Sequence, residues 1–133
     1  MLWKTCRKAV TSEPGVVAGW GSTSNEFRIK PTTLVYAHIN HVEKKCCQSK
    51  YKEFVQEVNG DIELFDSILC AGDKTADACS GDSGSPLLWV DDKLRWSVAG
   101  IVSFGPSVCG QDIPGAYTRV ENYLEWIRSV IRD

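Results

Sequence analysis

Along most of this chain, apolar residues fall in short runs divided by turn-forming residues, which leaves room for strands but little for helix. The runs are 15–21 (GVVAGWG), 32–42 (TTLVYAHINHV), 85–90 (SPLLWV), 94–104 (LRWSVAGIVSF) and 115–120 (GAYTRV). In the second, Leu34, Tyr36 and His38 fall on one face and Val35, Ala37 and Ile39 on the other, the period of two that marks a strand. Ser22-Thr23-Ser24-Asn25, Asn59-Gly60, Asp91-Asp92, Gly105-Pro106 and Ile113-Pro114-Gly115 separate the elements, and Asp91-Asp92-Lys93 reads as a hairpin loop. The C-terminus departs from this pattern. Val120, Leu124, Ile127 and Val130/Ile131 recur at spacings of three and four, one face of a helix, and Asn122 with Glu125 has the spacing of a capping box. A weaker signal allows a helical turn near 47–55. The expected fold is a small all-β domain closed by one amphipathic helix, and 133 residues suit one domain.

An apolar fraction of 43% and a charged fraction of 24% are those of a folded chain. A net charge of −2 makes no case for nucleic acid or an anionic membrane as partner. The charged runs Glu43-Lys44-Lys45 and Asp91-Asp92-Lys93 are short and of mixed sign, and read as solvated loops. No apolar run approaches the ~18 residues needed to span a bilayer, and the first ten residues, MLWKTCRKAV, have no apolar core of the secretory kind. Six cysteines without a C-x-x-C pair argue for disulfides rather than zinc or redox chemistry, hence an oxidising compartment. That compartment sits awkwardly with the missing signal, and points to a piece of a longer protein.

The richest segment is 77–86, DACSGDSGSP. A lone serine between glycines is a weak signal. Here, however, Gly81-Asp82-Ser83-Gly84 can turn the backbone N–H groups of Gly81 and Ser83 toward one point. An acyl-transfer transition state needs such a pair of donors where its oxyanion develops, and a side chain at position 81 would crowd them.

Taken with its surroundings, this segment resembles a known family. ILCAGDKTADACSGDSGSPLLW, followed by VAGIVSFG, a CG pair and PGAYTRVENYLEWI, is similar to the second half of a trypsin/chymotrypsin-type (S1) serine protease, and VVAGWGSTS is similar to the first strand of that half. The likeness runs from about Gly15 to Ile131. It implies the C-terminal six-stranded Greek-key barrel of the trypsin-like fold, closed by a C-terminal α-helix and preceded by a linker, with the first barrel missing. It also implies Ser83 as nucleophile with Gly81 and Ser83 as oxyanion donors, and Asp82 as the acceptor of a new N-terminal ammonium on zymogen activation. Asp77 would lie at the base of the primary specificity pocket, favouring Arg or Lys; the plainer reading of Asp77 is a solvated loop acid. Ser103-Phe104-Gly105 would pair with substrate backbone and form an aromatic wall, Gly105 and Gly115 would leave the pocket open, and Tyr117 would close its floor. Pro114 matches members without a sodium-binding loop. Ser85 departs from the usual second glycine, and only a local adjustment is expected. The implied disulfides are Cys79–Cys109 and Cys47–Cys70. Cys46 is unassigned, and Cys6 stands where many members bond a light chain or pro-domain; a Cys6–Cys46 pairing stays open. No cofactor or metal is implied.

The same likeness raises the question of a base. The family's histidine and its orienting aspartate lie in the first barrel. The two histidines here, His38 and His41, fall in a segment that in the family is a strand remote from the nucleophile, and they read as strand residues; as a metal pair they are three apart, with no nearby acid forced into position. Asp61, in GDIELF, resembles the orienting aspartate only superficially, because it falls between Cys47 and Cys70 in a variable surface segment. The expectation is a secreted endopeptidase half, with the flavour of an arthropod clip-type cascade enzyme, with negligible activity alone and an apolar face left by the missing barrel. A non-catalytic binding module is the rival reading.

Overall fold

The computed structural model of the protein describes residues 14–24, 29–57 and 66–131. Seven strands form one antiparallel sheet: β1 (Gly15–Gly19), β2 (Val35–Ile39), β3 (His41–Val42), β4 (Ile68–Ala71), β5 (Pro86–Val90), β6 (Trp96–Phe104) and β7 (Gly115–Arg119), in the order β2-β1-β5-β6-β7-β4-β3. The two ends of that order, β2 and β3, are separated in the chain by Asn40 alone. A sheet whose edge strands are joined by one residue must curl on itself. Counted as one strand bent at Asn40, residues 35–42 make the six-stranded barrel expected from the sequence, with β1 between β2 and β5 and β4 between β3 and β7.

This topology positions the site. β4 and β5 are consecutive among the strands but not neighbours in the sheet, so residues 72–85 cross from one side of the barrel to the other. That crossing carries the DACSGDSGSP segment. β5 and β6 form the predicted hairpin, closed by hydrogen bonds from Asp91 N–H to Arg95 O and from Leu94 N–H to Asp91 O. Val17, Ile39, Leu69, Ala71, Leu87 and Tyr117 form the core inside the barrel. As the alternation predicts, Ala37 and Ile39 face it while Tyr36 and His38 are exposed; Val35, expected on the inward face, is exposed at the start of β2.

The helices differ from expectation. The helical turn near 47–55 is α1, a 14-residue helix over Lys44–Glu57. It begins at Lys44, so Lys44 and Lys45 belong to its first turn rather than to a loop; Lys44 pairs with Asp66. Its signal is weak because only a narrow stripe faces inward: Cys47, Tyr51 and Phe54 pack with Cys70 and Ala116 in a second cluster. At the C-terminus a 3₁₀ turn (Val120–Tyr123) precedes α2 (Leu124–Val130). The capping box does not form. Tyr123 is the cap, with no side-chain hydrogen bond, and the Asn122 amide donates to Asp66 O at 3.1 Å. None of the residues of α2 is buried. Among the described residues no helix is long and apolar enough to cross a membrane.

Cys47–Cys70 joins α1 to β4, and Cys79–Cys109 joins the crossing segment to the loop before β7. Both are the expected pairs. Cys46 is likewise disulfide-bonded, whereas Cys6, Asp61 and the Asn59-Gly60 turn lie outside the described residues.

A Cβ at Gly15 would lie 2.6 Å from Cε3 and Cζ3 of Trp89 and 3.0 Å from Leu88 O. The indole thus lies directly against the β1 backbone, and even a methyl group forces it out. Gly15→Ala should cost about 1–3 kcal/mol, the usual range for overpacking, and lower Tm by several degrees. Adding Trp89→Leu should recover part of the loss. An unchanged Tm in thermal denaturation would show the indole free to move.

Candidate active site

The crossing segment is bent by glycine. Gly81 has φ of +97°, a left-handed conformation that other residues adopt with strain. The resulting turn is held by Asp82 N–H to Cys79 O and Ser85 N–H to Asp82 O, both 2.9 Å, and is fastened to β6 by Gly84 N–H to Val102 O and Val102 N–H to Ser85 O, also 2.9 Å. Ser85 therefore serves through its backbone, and its departure from glycine leaves the turn intact. Among the described residues, the N–H groups of Gly81 and Ser83 have no hydrogen-bond partner. Two free donors beside a serine can stabilise an oxyanion.

Asp82 points away from this turn, toward β1. Its Oδ1 accepts from Gly21 N–H at 2.7 Å and its Oδ2 from Cys79 N–H at 2.9 Å. A side chain at Gly19 or Gly21 would overlap the carboxylate, so the glycines of the GWG sequence admit it. Asp82 lines a cavity of about 310 Å³ with Gly19, Gly21, Ser22, Tyr36 and Asp77.

A second cavity, of about 320 Å³, opens at Ser83. Its lining includes Asp77, Ser103, Phe104, Gly105, Gly115 and Tyr117, so the structure brings together every residue expected of a specificity pocket. Asp77 is not a solvated loop acid. Its Oδ2 accepts from Gly110 N–H at 3.0 Å, whereas Oδ1 is buried with no hydrogen bond in the protein. Burial pushes its pKa up to about 6, against the opposing backbone hydrogen bonds of Gly110 and Ala78; the like charges of Asp73 and Asp82 add to the rise. The hydroxyl of Tyr117 is likewise buried and unpaired, and burial raises its pKa too. Hence two buried polar atoms on the wall of one cavity have no protein partner, and a cation there would offset the cost of burying the Asp77 charge. The glycines keep the space open. A Cβ at Gly115 would lie 3.3 Å from Asp77 Oδ1, and one at Gly105 would lie 3.7 Å from Gly115 Cα.

Sequence reasoning missed what supports this wall. Tyr51 of α1 is buried, donates its hydroxyl to Pro114 O at 2.6 Å, and meets the Phe104 ring edge-on with centroids 5.9 Å apart. The Cys47-x-x-x-Tyr51 spacing, one helical turn, was its only visible signal. Tyr51→Phe leaves the Pro114 carbonyl short of its partner at a cost of about 1–3 kcal/mol. We expect a lower Tm and severalfold weaker binding of p-aminobenzamidine, because the Gly115 wall follows Pro114; unchanged affinity would separate α1 from the pocket.

No histidine lines either cavity. His38 packs edge-on against Tyr36, and His41 against Trp89 at 6.3 Å between centroids. Burial, then the charge of Arg119, lowers the pKa of His41. Among the described residues no group of three or more His, Cys, Asp or Glu is placed to hold a metal ion.

Comparison with known proteins identifies the family. The family model Trypsin matches residues 2–127. The phenoloxidase-activating enzyme of Bombyx mori is 39% identical over 125 residues, covering 86% of this chain and 26% of that protein. The CLIP domain-containing serine protease B15 of Anopheles gambiae is 36% identical over 124 residues, covering 92% and 32%. The solved structure of neuropsin, a serine protease from mouse brain, superposes with a TM-score of 0.73 at 30% identity, covering 90% of this chain and 48% of that one. The chain spans between about a quarter and a half of the length of these relatives. Because the family model matches nearly the whole of this chain, the chain belongs to the trypsin family of serine proteases.

Proposed function

We propose that this chain is the nucleophile-bearing half of a serine endopeptidase that cleaves after Arg or Lys. The observation that carries the reading is the pair of buried, unpaired polar atoms, Asp77 Oδ1 and Tyr117 OH, on the wall of the cavity that opens at Ser83. A guanidinium or ammonium entering there gains a charge-assisted bond to Asp77, while Ser103, Phe104 and Gly105 border the path of the peptide. Ser83 then faces the scissile carbonyl, with the Gly81 and Ser83 N–H groups as oxyanion donors. Proton transfer from Ser83 requires a base, which polypeptide outside these 133 residues would supply together with its orienting acid. Asp82, held by Gly21 and Cys79 beside its own cavity, would take the ammonium of a cleaved N-terminus. The disulfides fit an extracellular setting, and the two arthropod relatives fit a cascade enzyme of the clip type.

Binding of p-aminobenzamidine, read by its fluorescence, tests the pocket. Peptides ending in Arg or Lys should compete with it, and the same peptides ending in norleucine should not. Equal competition by norleucine would overturn the assignment of Asp77. A second reading, a non-catalytic binding module, draws on the exposed α2 residues Trp126 and Val130 with Ile131 beyond them. Against it stand Asp77, Gly81, Asp82, Ser83, Gly105 and Gly115, which a retired active site has no need to keep.

A further inference from the structure

The loop that follows β1 is clasped to the nucleophile segment. Ser22 N–H donates to Ser80 O at 2.8 Å, and Thr23 N–H donates to Ile29 O at 3.3 Å. The next residue, Lys30, lies over the oxyanion turn. A Cβ built on Gly81 would meet Lys30 Cε at 3.2 Å and Nζ at 3.5 Å, so the ammonium lies within about 5 Å of the Gly81 Cα. Among the described residues Lys30 has no ion pair, and it does not line the Asp77 cavity. It is a cation beside the reacting centre that the chemistry described above leaves unused.

Its position selects what it can contact. In the proposed function the acyl residue fills the Asp77 cavity. A ligand group reaching the other face of Gly81 therefore belongs to the part that follows the scissile bond. We propose that Lys30 is a specificity-determining cation that recognises a carboxylate on this leaving-group side, one or two residues after the basic residue. Resting on the proposed reading of the pocket, the inference adds a second charge criterion of opposite sign: a basic side chain before the bond and an acidic one after it. The pair is solvent-exposed, so its effect is modest and salt-sensitive.

Two fluorescent peptides, Ac-Gly-Arg-Ser-Asp-Gly and Ac-Gly-Arg-Ser-Asn-Gly with amidated ends, test this by anisotropy at neutral pH and low salt. The Asp peptide should bind about three- to fivefold more tightly, as an exposed ion pair allows, and 0.5 M NaCl should shrink the difference. Lys30→Gln should bring the ratio to one and Lys30→Glu should invert it, both with p-aminobenzamidine affinity unchanged. A ratio of one in the unaltered protein with intact amidine binding overturns the role of Lys30, as does a preference for Asp that persists in Lys30→Gln. Loss of all amidine and peptide binding in the unaltered protein overturns the pocket itself, and the inference with it.

Discussion

Asp77→Asn should weaken the binding of p-aminobenzamidine on the order of 10²–10³-fold, the usual consequence of removing one partner from a buried charge pair. The amide keeps the shape and can still accept from Gly110 N–H, as Asp77 Oδ2 does at 3.0 Å, but the cation loses its counter-charge. The pH dependence gives a sharper signature. In the free protein the Asp77 pKa is pushed up to about 6, chiefly by burial, and a cation binds only the ionised form. Affinity should therefore be flat above about pH 7 and fall roughly tenfold per unit below pH 6, as ligand and proton compete. The Asn variant should bind weakly and show no such slope. Isothermal titration from pH 5 to 8 measures both.

Stability should move in the opposite sense to affinity. A carboxyl whose folded pKa lies above its ordinary 3.8 contributes stability that is full below about pH 4 and is lost as pH rises through 6. At pH 7.5 the unliganded protein carries a buried charge, so Asp77→Asn should melt higher than the unaltered chain there and about equally at pH 4. A substitution that stabilises the protein while weakening ligand binding is what a functional acid predicts; an acid present for structure would lower Tm when removed.

How legible this was in the sequence depends on the range of the interaction. Strands that are half-buried announced themselves, as in the alternation of Tyr36 and His38 with Ala37 and Ile39. β4, four residues whose last three are buried, has no alternation to read, and only its ILCAG motif marked it. α1 was underestimated because Cys47, Tyr51 and Phe54 make a thin apolar line in a polar helix. The capping box at Asn122 failed because the chain enters a 3₁₀ turn first, which leaves Asn122 free to reach Asp66. In the site, Gly81, Ser83 and Asp77 were legible because they share one short segment. Tyr51 was not, since its partner Pro114 is 63 residues away. Lys30 was not either, since nothing local couples it to Gly81. Asp82 was legible as a residue, but its bond from Gly21 N–H, 61 residues away, required the fold.

The chain by itself should show no measurable hydrolysis of an Arg-amide substrate, although it binds the amidine. Loss of a triad member lowers the rate of such enzymes by on the order of 10⁴–10⁶-fold, and both histidines here are committed elsewhere, His38 against Tyr36 and His41 against Trp89. Burial and the charge of Arg119 lower the pKa of His41, which disfavours its imidazolium, yet an imidazole packed on Trp89 lines neither cavity and has no route to Ser83. Nucleophilicity and substrate recognition should thus separate. A fluorophosphonate, which requires an activated serine, should leave Ser83 unlabelled while p-aminobenzamidine still binds. Gly81 and Ser83 can stabilise an oxyanion once it forms, but they cannot remove the serine proton that must leave first. Robust labelling that disappears in Ser83→Ala, or turnover that disappears in His41→Ala, would establish that this half carries its own base.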